Sequence, residues 1–147
     1  MRYLLICLMV GLTCNSCKKE SDAFIEYDVL VQEFTGGIAT KEFRVIDKFE
    51  DLNDLYNTIN ASREPGIEIP EIDFTTQSVL CLFMGEYTSG GYAISIDHIK
   101  KSQDAVIVYY VETKPIPDDM VTMSITQPFC IVKINSANKP IKFEPID

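Results

Sequence analysis

Six consecutive apolar residues, Val79-Leu80-Cys81-Leu82-Phe83-Met84, constrain this fold more than any other stretch. The run has strand length, and a strand without polar alternation has no face to offer to water. It therefore predicts a strand over 77–84 at the centre of a sheet, covered on both faces. The run enters Gly85-Glu86-Tyr87-Thr88-Ser89-Gly90-Gly91-Tyr92, and the alternating Tyr92-Ala93-Ile94-Ser95-Ile96 leaves it. The nearest pairing sets 92–100 beside the apolar strand, across this glycine turn.

Other segments carry strand patterns too. Residues 23–34 read as one strand with Phe24, Val29 and Val31 among its apolar positions. Thr35-Gly36-Gly37 is a turn signal and 38–46 returns, a predicted hairpin bracketed by Phe34 and Phe43. Residues 105–113 form a further strand. Residues 121–134 show strand pattern on both sides of Pro128, which cannot donate a ladder hydrogen bond and so marks an edge or bend. Residues 141–143 add a short last strand.

One helix stands out. Asp47 and Glu50 have the spacing of a capping box. Leu52, Leu55, Tyr56 and Ile59 follow at one-face helical spacing, opposite Asp51, Asn53, Asp54 and Asn57. Residues 63–76, broken by Pro65-Gly66 and Pro70, read as a surface connector. The sum is an α+β fold: a largely antiparallel, curved β-sheet, sandwich- or barrel-like, with one amphipathic helix packed on it.

The N-terminus needs a separate account. Arg2 precedes an apolar run from Tyr3 to Thr13, which as a helix spans about 16 Å against a hydrocarbon core of about 30 Å. That is too short to cross a membrane and fits the apolar region of a signal peptide. Ser16-Cys17 then resembles a bacterial lipobox, a small residue before a cysteine that is lipidated. The organisation expected is a signal peptide at 1–16, a lipid-anchored polar stub at 17–22, and one globular domain over 23–147. Lys18 and Lys19 sit beside the anchor, where anionic headgroups attract them. The location implied is the bacterial cell envelope, in particular the outer membrane.

Charge and chemistry exclude several functions. The 147 residues carry 22 acidic and 13 basic side chains, a formal charge of −9. Loss of 1–16 removes Arg2 and no acid, taking the charge to −10. No basic stripe is present, so nucleic acid is not an expected partner. His98 is the sole histidine, and reads as an ordinary surface side chain rather than a triad member. No Cys/His spacing for zinc and no phosphate loop occurs. Asp118-Asp119 reads as an exposed turn pair, and Glu64, Glu68, Glu71 and Asp73 lack the spacing of a calcium loop. No cofactor, no metal and no enzymatic activity are expected. Cys81 and Cys130, the two cysteines left after the anchor, read as buried thiols, with a disulfide as the alternative that an oxidising envelope permits.

What remains is the pair of loops. Gly90 and Gly91 can serve a plain turn, but Tyr87 and Tyr92 on either side, with Thr88 and Ser89 between, also suit protein contact. Thr126-Gln127-Pro128-Phe129 is the second. The order of an apolar strand, Gly85-Glu86-x-Thr88-x-Gly90-Gly91-Tyr92, an alternating strand, a Pro-containing crossing and Thr126-Gln127-Pro128-Phe129 resembles the C-terminal domain family of the protease complex subunit PrcB. Ile72-Asp73-Phe74 is similar to that family's entry, so the likeness runs over about 72–134. The resemblance implies a non-catalytic lipoprotein that binds and stabilises a secreted or envelope protease, with Tyr87, Thr88, Ser89, Gly90, Gly91, Tyr92, Thr126, Gln127, Pro128 and Phe129 as its contact residues. The alternative is a protease inhibitor. The same two segments are similar in outline to the loops of chagasin-type cysteine protease inhibitors.

Overall fold

The structure, a computed structural model, describes residues 23–146. The expected signal peptide, Cys17 and the polar stub lie outside the described residues. The described chain runs β1 (Ala23–Ile25), β2 (Tyr27–Glu33), β3 (Glu42–Ile46), α1 (Phe49–Asn60), β4 (Gln77–Phe83), β5 (Ala93–Lys101), β6 (Val106–Thr113), β7 (Phe129–Asn135) and β8 (Ile141–Ile146).

Two four-stranded sheets result, in the orders β1-β5-β6-β8 and β2-β7-β4-β3. All pairings are antiparallel except β6 with β8. The fold is α+β as expected, and its sheets stay unclosed.

The second sheet is the middle layer, which explains the apolar run. Leu80, Leu82, Cys130 and Val132 face the first sheet, where they join Ile94, Ile96, Val106 and Val108. Val79, Cys81, Phe83, Phe129 and Ile131 face the helix and the connector, meeting Leu52, Leu55, Tyr56 and Ile59. Both faces of β4 are therefore covered and its apolar residues are buried. The helix stripe falls as its spacing predicts, and each of its three aliphatic side chains, Leu52, Leu55 and Ile59, contributes about 1.5–3 kcal/mol by burial. Ile67, Ile69, Ile72 and Phe74 pack the connector on the same layer.

Several local expectations are corrected. Residues 23–34 do not form one strand: β1 belongs to the first sheet and β2 to the second, with the change at Glu26. The predicted hairpin is absent, because β2 pairs with β7 and β3 with β4, on opposite sides of the middle sheet. Residues 92–100 are not the neighbour of β4, since β5 lies in the other sheet between β1 and β6. The glycine turn is thus a crossing between layers. Asp47 does not cap the helix; the N-cap is Lys48, without a side-chain bond. Asp47 Oδ1 instead accepts from the buried Ser78 Oγ at 2.6 Å, and Ser78 Oγ also meets Ser136 Oγ at 2.8 Å. A buried hydroxyl requires partners, and that demand wins over the cap.

No disulfide forms. Cys81 and Cys130 are free and buried, on adjacent strands but on opposite faces of the middle sheet. Burial pushes the Cys81 thiol up to about 12 and the Cys130 thiol up to about 11.

Candidate functional site

The chain passes from β4 to β5 through residues 84–92, and from β6 to β7 through 114–128. Both crossings emerge at one end of the two sheets, and hydrogen bonds join them. Tyr87 N donates to Thr126 O at 2.9 Å, and Thr126 N donates to Tyr87 O at 2.9 Å. Thr126 Oγ1 donates to Ser89 O at 2.8 Å, and Gln127 Nε2 donates to Glu86 Oε2 at 2.7 Å. Gly90 N donates to Thr122 O at 2.9 Å.

A third crossing supports them from behind. Gln127 N donates to Phe34 O at 2.7 Å and Gly36 N to Gln127 O at 3.0 Å, while Glu86 N donates to Ala39 O at 3.1 Å. The backbone polar groups that a crossing must satisfy are met here by the neighbouring crossings, which makes the ledge a single hydrogen-bonded body.

The two glycines have separate reasons. Gly91 adopts φ +89, and a Cβ there would lie 2.9 Å from Val121 Cγ1 and 3.1 Å from Pro115 Cβ. A Cβ at Gly90 would lie 2.5 Å from Thr122 Oγ1. Only glycine lets the first crossing lie so close against the second. The flanking aromatics also act together: the Tyr87 and Tyr92 rings stack with centroids 3.8 Å apart at 14°. They pack on the inter-sheet core as half-buried side chains.

The predicted contact residues divide into two groups. Glu86, Thr88, Gly91 and the edges of Tyr87, Tyr92, Ser89, Gly90 and Gln127 reach solvent. Thr126 and Pro128 are buried, and Phe129 is 0% exposed, stacked on Phe83 at 5.9 Å. These three position the ledge and offer no side chain to a partner. Pro128 is no edge or bend marker either. It precedes the first residue of β7, an interior strand, and its carbonyl accepts from Met84 N at 2.9 Å.

The ledge also has apolar residues that pattern reading passed over. Ile116, Met120, Met123 and Ile125 stand out from the second crossing, with Met123 93% exposed. Their signal in the sequence is weak: isolated apolar residues among Asp, Thr and Ser in a segment too irregular for a strand. Beside the ledge, Lys41 pairs with Glu112 and lies 5.8 Å from the Tyr110 ring. The Glu112 hydrogen bond is the main cause that raises the Lys41 ammonium above its ordinary range.

No catalytic constellation accompanies this ledge among the described residues. His98 Nδ1 meets Asp97 Oδ2 at 2.5 Å, but its ring lies between Phe24 and Tyr109 and its Nε2 has no hydrogen-bond partner. The Asp47-Ser78-Ser136 chain has no imidazole and joins the start of α1 to the ends of β4 and β7. No group of three or more His, Cys, Asp or Glu is placed to hold a metal ion among the described residues. No helix among them is long and apolar enough to cross a membrane.

These features define a β-rich, helix-backed domain with an interlocked loop ledge at one end. Residues 78–135 match the family model described as PrcB C-terminal. The match takes in β4, both crossings and β7, less than half of the chain, and it supports the resemblance read from the same residues. At the coarse level that family goes with association with a protease. No curated protein and no solved structure matches the chain.

Proposed function

We propose that this chain is a non-catalytic, lipid-anchored envelope protein that binds and stabilises a secreted or envelope protease through the loop ledge. The observation that carries the reading is the coincidence of the family match with the interlocked crossings. The matched stretch begins at β4, ends at β7 and contains both loops. Exposed Met120, Met123 and Ile125 beside the stacked tyrosines supply the apolar and aromatic anchors that protein interfaces use. Preorganisation by hydrogen bonds lowers the ordering cost on binding.

The lipid anchor rests on the apolar run and the Ser16-Cys17 junction. Metabolic labelling with palmitate tests it, with label expected on the unmodified chain and absent from Cys17→Ser.

Affinity capture from detergent-solubilised envelope, followed by identification of bound proteases, tests the partner. A Met120→Ser, Met123→Ser double variant should fold normally and recover at least about tenfold less protease, since two exposed anchors are removed. Equal recovery would count against the ledge, and recovery of no protease by the unmodified chain would count against the function.

One observation favours an inhibitor as the second reading: the exposed crest of the 114–125 segment adds a further projecting loop beside the first. Titration of papain-like and subtilisin-like proteases with the protein separates the two. Unchanged turnover at large excess excludes inhibition, while binding without loss of turnover supports the stabilising role.

A further inference from the structure

We infer that the outer face of the β1-β5-β6-β8 sheet seats on the membrane surface at the tethered end of the molecule; this rests on the lipid-anchor reading above. The inner face of this sheet packs on the middle layer, whereas the helix and connector cover the far side of the middle layer. Nothing among the described residues covers the outer face.

Register identifies what that face carries. Phe24 stands opposite Lys100, Lys100 opposite Ile107, and Ile107 opposite Lys142. The next row sets His98 opposite Tyr109 and Tyr109 opposite Glu144. Phe24, 71% exposed, meets the His98 ring at 5.6 Å, and His98 stacks on Tyr109 at 4.5 Å. Lys100 Nζ lies 5.5 Å from the Phe24 ring and 5.6 Å from the Tyr109 ring. An exposed phenyl ring and the amphipathic rings of His98 and Tyr109, interleaved with lysines, match the chemistry of an anionic headgroup region, where rings enter the boundary and ammonium groups meet phosphates.

The path of the chain selects this occupant. Phe24 is the second described residue and lies on β1, an edge strand of this very sheet. Cys17 precedes Ala23 by six positions, a span of at most about 20 Å when extended. A lipid on Cys17 therefore brings a bilayer within reach of the Phe24-Lys100 row. Charge on the face is locally balanced in a chain that carries −10 once 1–16 are lost: Lys100 and Lys142 stand with Glu144 and with Asp97, which meets His98. The ledge lies at the other end of β5 from that row.

The test uses residues 17–147 carrying Cys17→Ser, so that the face acts without the acyl chains and without the apolar run at 3–13. Cosedimentation with vesicles of phosphatidylethanolamine and phosphatidylglycerol should detect weak, salt-sensitive binding. Lys100→Glu and Lys142→Glu should each weaken it at least about fivefold. Glu144→Lys should strengthen it by a similar factor, a gain that a misfolded variant does not produce. Binding unchanged in all three variants overturns the proposal. So does a Phe24→Ser variant that turns a dimer into a monomer while vesicle binding stays the same, because a second copy then covers the face. Palmitate labelling reads the tether independently: a chain that takes label but shows no face-dependent vesicle binding retains its anchor and overturns the seat.

Discussion

Tyr87 and Thr126 exchange both of their backbone hydrogen bonds at 2.9 Å, which makes two crossings from different parts of the chain into one ledge. Neither crossing is part of a regular strand at this point. The pairing, with the Thr126 hydroxyl reaching on to Ser89 O, is what holds residues 85–92 in one shape.

Thr126→Val tests that hold. The substitution keeps the volume, removes the bond to Ser89 O and leaves a carbonyl with no protein partner for it, at a cost of about 1 kcal/mol. Hydrogen exchange at the Tyr87 and Gly90 amides should accelerate, while amides of α1 should not change. Equal protection at both amides would show that the hydroxyl is dispensable.

Gly91→Ala should destabilise the protein by about 1–3 kcal/mol, read as a lower denaturation midpoint. The φ of +89 is unfavourable for any L side chain, and Val121 and Pro115 occupy the space a methyl needs. A midpoint equal to that of the unmodified protein would mean that the second crossing yields at no cost.

Leu55→Ala removes a side chain held between the helix and the middle sheet. The loss should be about 2–5 kcal/mol by chemical denaturation, with the spread set by how far the helix layer collapses. A loss below about 1 kcal/mol would indicate that the helix layer contributes little to the native state.

Stability should fall as pH rises above 9. The folded state raises the Cys81 thiol from 9.0 to about 12 and the Cys130 thiol from 9.0 to about 11, by burial first. Burial raises Tyr56 from 10.0 to about 12. For each group the folded state favours the protonated form, so its stabilisation is complete below the unfolded pKa and is lost as pH climbs towards the folded one. Thermal melts between pH 8 and pH 11 should show a falling midpoint, and the fall should be shallower in a Cys81→Ala, Cys130→Ala double variant. A parallel slope in both proteins would remove the thiols as the cause.

Much of the architecture was legible where one local rule decided the outcome. The six-residue apolar run predicted a strand buried on both faces because no alternation was available, and the two layers over β4 bear this out. The spacing of Leu52, Leu55, Tyr56 and Ile59 predicted their shared burial for the same kind of reason. Partner choice was less legible. Strands adjacent in sequence, β2 with β3 and β4 with β5, resemble hairpins locally but lie apart in the sheets. Long-range pairing with β7 and β6 decides it. Asp47 had the spacing of a cap, yet Ser78 takes its carboxylate, a competition between residues too distant for a local pattern to register. In the ledge, the link between the two loops could not be read from either alone. Phe129 looked like a loop aromatic, although Phe129-Cys130-Ile131-Val132 is a second unbroken apolar run. Read by the rule applied to β4, it points to the burial that is found.

The position of β5 has a mechanical consequence. Its first residue follows the ledge, and its last three pair with β1, where the described chain begins. The nine residues of β5 separate these ends by about 27 Å. A pull between Ala23 and the ledge loads β1 and β5 along their axes in opposite directions. Because the two are antiparallel, their ladder bonds are stressed together in shear rather than opened one at a time. Three register pairs make that ladder short. Beyond it the load passes at Glu26 into β2 and its longer ladder with β7, so tension on the N-terminus is shared by both layers.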